Sequence, residues 1–348
     1  MGFHAISSAM DPVMNQHRVF GYDVIKALAM FMVVFYHLFM LDFAYVPGEF
    51  YVPNFNKVVQ MLCTASVPMF FMVNGALTKG KKLTLKKLLN KVGRLIGVAF
   101  FWTIVLKCLV LNAMQGKGLH VTFWDFFNYY WFLYSLAIIY VLNYLVQFVP
   151  KWCTHLLVAA LFAVTFLNNF MWDIILLVKP EQHFPKWGLT GFFTMYGFVY
   201  ARLGAYLSNR RLSKTACVLL MVAGVALNVF KTIVMTQHTG HLYEGVSYSC
   251  PTIGAMLLSC GIFGLLRDVK RTMPCSSLIE LVGTNSMGVY IFHLVFVFFI
   301  RVYCVKGLLH MENLPILVVF MLALLVTVTC AYISHLITHS RCKVLLKL

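Results

Sequence analysis

The stretch Tyr22-Asp23-Val24-Ile25-Lys26-Ala27-Leu28-Ala29-Met30-Phe31-Met32-Val33-Val34-Phe35-Tyr36-His37 decides the fold. It belongs to an apolar run over 22–42, long enough to cross roughly 30 Å of hydrocarbon as a helix. Asp23, Lys26 and His37 break the quoted stretch. Burying such groups in a bilayer is costly unless they are paired or line a wet cavity. Lys26 and His37 stand 11 residues apart. At about 100° per residue they lie within roughly 20° of each other on one helix face, roughly 16 Å apart along the axis. Asp23 sits one turn before Lys26 on that stripe, as an ion-pair candidate at the helix mouth. His37 falls beyond the membrane midpoint.

The rest of the chain agrees with a bilayer setting. Of 348 residues, 61% are hydrophobic and only 11% charged, far from the composition of soluble domains. The mean hydropathy of +0.82 points the same way. The predicted fold is an all-α integral-membrane bundle of about ten spans. They cover 22–42, 58–77, 95–114, 130–149, 155–178, 188–207, 216–234, 251–266, 280–303 and 314–336. The eighth is short, and its Gly254, Gly261 and Gly264 fit either close helix packing or a re-entrant break. Residues 1–22 lack the features of a cleaved secretory signal, so the first run reads as a retained helix.

A net charge of +17 raises the question of nucleic acid, but no soluble basic face with stacking or groove-reading elements exists. Lys and Arg instead sort by side. With both termini cytoplasmic, 18 cations fall in cytoplasmic segments, 5 in external loops and 5 within spans, as the positive-inside rule requires. No internal repeat or soluble domain interrupts the chain, which reads as one transmembrane domain over 1–348. Within it, 78–94 is a basic cytoplasmic loop. Its seven cations between Lys79 and Arg94, interleaved with Leu83, Leu85, Leu88 and Leu89, predict a short amphipathic helix on the anionic inner leaflet.

The ten cysteines show neither CxxC nor zinc spacing, so no metal site is expected. Cys250 and Cys304 would face outward, where they could pair. The loop Thr236 to Ser249, with His238, His241 and Glu244, matches no catalytic zinc pattern and reads as solvated.

The stripe on the first span suits an enzyme whose acyl donor is long and anionic at one end, the shape of coenzyme A. Phosphates would sit by Lys26 and the basic loop, and His37 would act as general base on an acceptor hydroxyl. The alternatives are that His37 only hydrogen-bonds a neighbouring helix and that Asp23 and Lys26 only anchor the helix end.

These residues and four further motifs resemble acyltransferase family 3, the integral-membrane enzymes that O-acetylate sugars, glycans and related acceptors. The family's first helix carries Asp, usually Arg, and His in the places of Asp23, Lys26 and His37. Its Phe-Phe-x-x-Ser-Gly motif is similar to Phe70-Phe71-Met72-Val73-Asn74-Gly75, and its Arg-x-x-Arg to Lys91-x-x-Arg94. Trp131-Phe132-Leu133-Tyr134 matches the opening of the family's fourth helix, and Tyr290-x-x-His293 a Tyr-x-x-His carried within a late helix. Lys26 and Lys91 replace arginines, giving point charges without the bidentate fork, and Asn74 replaces Ser.

The resemblance implies transfer of an acyl group, acetyl foremost, from acyl-CoA to a sugar, glycan or other cell-envelope polysaccharide hydroxyl, by a multi-pass protein of the cell membrane. The implied catalytic residues are His37 and Asp23, the donor site Lys26, Lys91 and Arg94, and the substrate walls Asn74, Trp131, Tyr290 and His293. Acyl-CoA is the donor substrate, with no tightly held cofactor; membrane lipids are partners, and nucleic acid is not.

His293 has the alternative of a backbone-satisfied histidine, and Trp131 that of an interfacial belt residue. Arg202, Lys231 and Arg301 lie near span ends and can snorkel. Asn168, Asn169 and Asp173 form a polar patch toward the outer end of the fifth span. A transporter or flippase, with His37, Lys107 and Asp173 as a relay, is the rival reading.

Overall fold

The computed structural model describes residues 19–39, 59, 61–112, 121–179, 195–239, 250–300, 315–340 and 346. All regular structure among them is helical. In chain order the helices are α1 Phe20–Phe39, α2 Ser66–Thr78, α3 Leu85–Ile104, α4 Phe123–Asn128 and α5 Trp131–Leu145. They continue as α6 Lys151–Phe162, α7 Asn168–Val178, α8 Met195–Leu207, α9 Lys214–Thr239, α10 Ile253–Leu266, α11 Ser276–Thr284, α12 Ser286–Phe299 and α13 Ile316–His339. A 3-10 turn, Cys63–Ala65, leads into α2, and α3 runs on into the π-helical Val105–Asn112. A π turn, Ala163–Leu167, joins α6 to α7 in one span.

Six helices among the described residues are long and apolar enough to cross a membrane, and α11 with α12 would make a seventh. Each of the ten expected spans falls on helix, but α2 and α10 are too short to count by length alone. The described part of the sixth span is the 13-residue α8.

Three boundaries differ from expectation. The basic segment is not a separate surface helix: nothing between Leu85 and Ile104 stops a helix, so it runs directly into the third span. Gly80, with φ of +70°, ends the preceding turn, and the Thr84 hydroxyl caps α3 by accepting from the Lys87 amide. Gln147 fixes the approach, accepting from the Leu83 amide at 3.1 Å and donating to its carbonyl at 2.8 Å. At the outer side, α9 continues through Thr236 and His238 to Thr239, so that part of the expected loop is helix. His241, Glu244, Arg301 and Cys304 lie outside the described residues.

The third difference concerns the broken span. The eighth is intact, and its glycines serve close packing: a Cβ on Gly254 would strike the Asn228 side chain, and one on Gly261 would lie 2.5 Å from the Cys217 carbonyl oxygen. The break falls in the ninth span, where α11 and α12 meet at 83° around Asn285.

α1 is the central staff. It packs against α2, α10, α11, α12 and α13, and 61% of its spanning window is buried, against 22–33% in the other five. The apolar positions that the bilayer would cover lie outward on the other helices, among them Ile96, Phe100, Leu156, Val222 and Leu325. α2 and α8 cross so closely that a Cβ on Gly75 would meet the Ala201 carbonyl and one on Gly204 the Met72 carbonyl. That crossing sets the distance of α2 from the core and hence the width of the space between α2 and α1.

Candidate functional site

A cavity of about 240 Å³ lies between α1, α2, α5 and the start of α12. α1 contributes Lys26, Met30, Val33, Tyr36 and His37, so the stripe expected from helical spacing does face one space. Lys26 lies near one end with Asn74 and Leu77. His37 lies toward the other, roughly 16 Å away by the rise of the helix.

At the near end Lys26 Nζ is 3.0 Å from a carboxylate oxygen of Asp23, which is buried against Gly283. A Cβ on Gly283 would lie 2.7 Å from Asp23 Cβ, so the glycine lets α11 close over the acid. Asp23 does not line the cavity. Fourteen residues before His37, it is roughly 21 Å from it along the axis. It pairs with Lys26 and stands apart from His37 in depth.

The Phe70-Phe71-x-x-Asn74-Gly75 motif divides its labour around one helix. Phe70, Val73 and Asn74 line the cavity, Phe71 packs at 5.1 Å between ring centroids on Phe132, and Gly75 makes the close crossing with α8. Asn74 Nδ2 donates to the Tyr140 hydroxyl at 2.9 Å, while its Oδ1 is buried without a partner among the described residues. Lys91 Nζ stands 4.5 Å over the Tyr140 ring. The basic stretch thus reaches the cavity wall through Tyr140. Arg94 is exposed and is not among the lining residues.

At the far end the His37 and His293 rings are 5.2 Å apart between centroids. His37 lines the cavity, whereas His293 is buried behind it, 1% exposed. His293 Nδ1 donates to the Tyr290 carbonyl at 2.7 Å and lies 3.2 Å from the Val289 carbonyl. Its Nε2 has no partner among the described residues. Tyr290 is a cavity wall whose hydroxyl accepts from the Phe132 amide at 3.4 Å, and half-buried Trp131 lines the same space. Of the residues expected at a site, His37, Lys26, Asn74, Trp131 and Tyr290 therefore share one cavity; His293 stands one contact behind it and Lys91 two, through Tyr140 and Asn74.

Sequence reasoning passed over Cys63, Thr64, Cys250 and Ser286, which also line the cavity. Nothing distinguishes such small side chains from helix packing until the walls are known. Cys250 is corrected outright: it is buried, not outward-facing, and its carbonyl accepts from the Tyr200 hydroxyl at 2.7 Å.

Among the charged pairs that lie apart from the cavity, two involve polar residues singled out in the sequence. Lys231 does not snorkel; its Nζ is 2.7 and 3.0 Å from the two oxygens of Asp173, both residues being buried. Asn169, the Asp173 neighbour, donates to the Pro251 carbonyl at 2.8 Å. Lys107 reaches Asp125 at 3.3 Å. Burial raises the Asp125 carboxyl, but the Thr122 amide and hydroxyl and Lys107 outweigh it, leaving the group below the usual carboxylate range. No cluster of three His, Cys, Asp or Glu suited to a metal occurs among the described residues.

A family model described as an acyltransferase domain matches residues 19–335. No curated protein and no solved structure matches the chain.

Proposed function

The chain belongs to acyltransferase family 3, a membrane acyltransferase, and from that membership we propose that it moves an acyl group, acetyl foremost, from acyl-CoA to a hydroxyl of a sugar, glycan or other cell-envelope acceptor. The observation that carries this reading is the single cavity holding a cation at one end and an imidazole at the other. Its length suits a thioester arm whose phosphates stay by Lys26 and the basic start of α3.

In this reading His37 takes the proton of the acceptor hydroxyl as its oxygen attacks the thioester carbonyl. The carbon–sulfur bond then breaks, and the departing thiolate takes the proton back from the imidazolium. The products are the acyl ester and free CoA thiol. Lys26, aligned by Asp23, and Lys91, seated on Tyr140, would meet the donor's negative end, with Arg94 as an outer attractor. Asn74, Trp131 and Tyr290 would hold substrate against His37. Ten spans with both termini in the cytoplasm would put the Lys26 end on the cytoplasmic side of the cell membrane, where CoA is available.

Labelled acetyl-CoA supplied to membranes containing the protein tests the reading. Label should enter the glycan and glycolipid fraction and free CoA should appear with it, both lost in His37→Ala. Full labelling by that variant would sink the base assignment. The relay of a transporter finds no support in Lys107 and Asp173, because each is held by its own counter-ion away from the cavity.

A further inference from the structure

We propose that Asn74 is the point at which the donor's pantetheine arm is recognised: its side-chain amide pairs with an amide of the arm, and Tyr140 on α5 is the positioning residue that holds it there. This deepens the reading of the cavity as an acyl-CoA site and rests on it.

Asn74 is half-buried on the face of α2 that lines the cavity. Phe70, Val73 and Leu77 flank it at helical spacing, so that stretch of wall is otherwise apolar. Tyr140 comes from 66 positions away, and its hydroxyl accepts a hydrogen bond from Asn74 Nδ2 at 2.9 Å. Asn74 Oδ1 is left buried with no partner among the described residues. A phenol hydroxyl can give as well as take, so turning the amide over would only exchange the atoms, with Oδ1 matched and Nδ2 left over. In either orientation the bond to Tyr140 leaves the other polar atom of the amide in want of a partner. The space that Asn74 borders is the cavity, so a molecule held there is what can supply one.

Two secondary amides lie along a pantetheine arm between the diphosphate and the sulfur, and each offers both an N–H and a carbonyl. Such an amide gives up water when it enters an apolar wall, which is costly unless a partner replaces it. Asn74 stands at the Lys26 end, so the first amide beyond the phosphates is the one in reach. A sugar hydroxyl could also bond an amide, but the acceptor has to meet His37 at the opposite end. Tyr140 seats Lys91 as well, whose Nζ lies 4.5 Å over the ring. One aromatic side chain thereby carries a cation of the basic stretch and the amide of the cavity wall.

Pantetheine, which has both amides and no phosphate, is the probe, used as a competitor against labelled acetyl-CoA in membranes containing the full chain. Rates are taken per unit of folded protein. Asn74→Leu removes the whole amide; Tyr140→Phe removes only the hydroxyl, because a phenylalanine ring still seats a cation. The inhibition constant of pantetheine and the KM of acetyl-CoA should both rise roughly two- to tenfold in Asn74→Leu, the worth of one hydrogen bond, with kcat within about twofold. Tyr140→Phe should move the same two constants the same way by less. The double variant should bind no more weakly than Asn74→Leu alone, since Tyr140 acts through Asn74. Tyr140→Phe carries the test by itself where Asn74→Leu does not fold. Unchanged constants with any loss confined to kcat or folded yield, or a wild type that pantetheine does not inhibit at any soluble concentration, overturns the subsite. Additive effects of the two substitutions overturn the positioning role of Tyr140. Wild-type membranes that transfer no label discard the acyl-CoA reading and this one together.

Discussion

Among the buried ionisable groups of the described residues, one set lies between α7 and α9 and another between α1 and α12. In the first, both oxygens of Asp173 meet Lys231 Nζ, and nearby Asn228 donates to Thr64 at 3.2 Å and accepts from Thr252 at 3.5 Å. In the second, the His293 ring lies 5.2 Å from that of His37 between centroids and its Nε2 has no partner among the described residues, and Asn74 Oδ1 at the other end of the cavity is likewise unmatched. Burial cost is met in the first region within the protein itself. The cavity region leaves capacity for something that arrives. Asn143 Nδ2, outside the cavity on α5, is an exception to that division. Intramembrane charge is therefore a poor guide to function until its partners are known.

The sharpest way to break the comparison is to exchange the readouts of the two regions. His37→Ala should reduce acetyl transfer by about 10²- to 10⁴-fold, the usual worth of a general base, with little change in unfolding temperature in detergent. Lys231→Met should do the reverse. Stranding the buried Asp173 should cost about 3–5 kcal/mol in thermal unfolding, with transfer per folded molecule within about twofold of wild type. Adding Asp173→Asn should restore most of that stability. Abolished transfer with an unchanged unfolding temperature in Lys231→Met would erase the distinction.

A smaller effect is expected at the donor end. Lys26→Ala should raise donor KM roughly tenfold, the worth of one charged hydrogen bond, and Lys26→Arg should retain affinity because it keeps the pair with Asp23. Equal KM in all three proteins would make Lys26 an anchor of α1 only.

The least effect belongs to Asp125. Its folded carboxyl is held low, so its stabilising contribution is present above the unfolded value and is lost as pH falls through the folded one. Unfolding temperature followed downward from about pH 4 should fall less steeply in Asp125→Asn than in wild type. Parallel curves would remove the Lys107–Asp125 bridge as a contributor.

Much of the site was legible because α1 carries its own ruler. Helical spacing alone placed Lys26 and His37 on one face, and both line the cavity. The motif around Asn74 was visible too, but not the reason for Gly75, whose purpose depends on Ala201 in a helix far along the chain. Lys231 looked like a snorkelling residue because nothing near it in sequence is acidic; Asp173 lies 58 positions away. Asp23 looked catalytic because it shares the stripe, yet depth along the helix separates it from His37.

The sequence by itself determined the membrane setting, the helical segments, the stripe on α1 and the order of the motifs. These depend on composition and on 3.6-residue periodicity, which are local properties of the chain. The tertiary structure alone decided which ionisable groups are matched, where the ninth span bends and that His293 stands behind His37. Those outcomes depend on how closely helices approach across gaps of tens to hundreds of residues, as when the Tyr130 hydroxyl donates to the Ile291 carbonyl 161 positions on. Small residues at the crossings set that approach, and their effect exists only once both helices are in place.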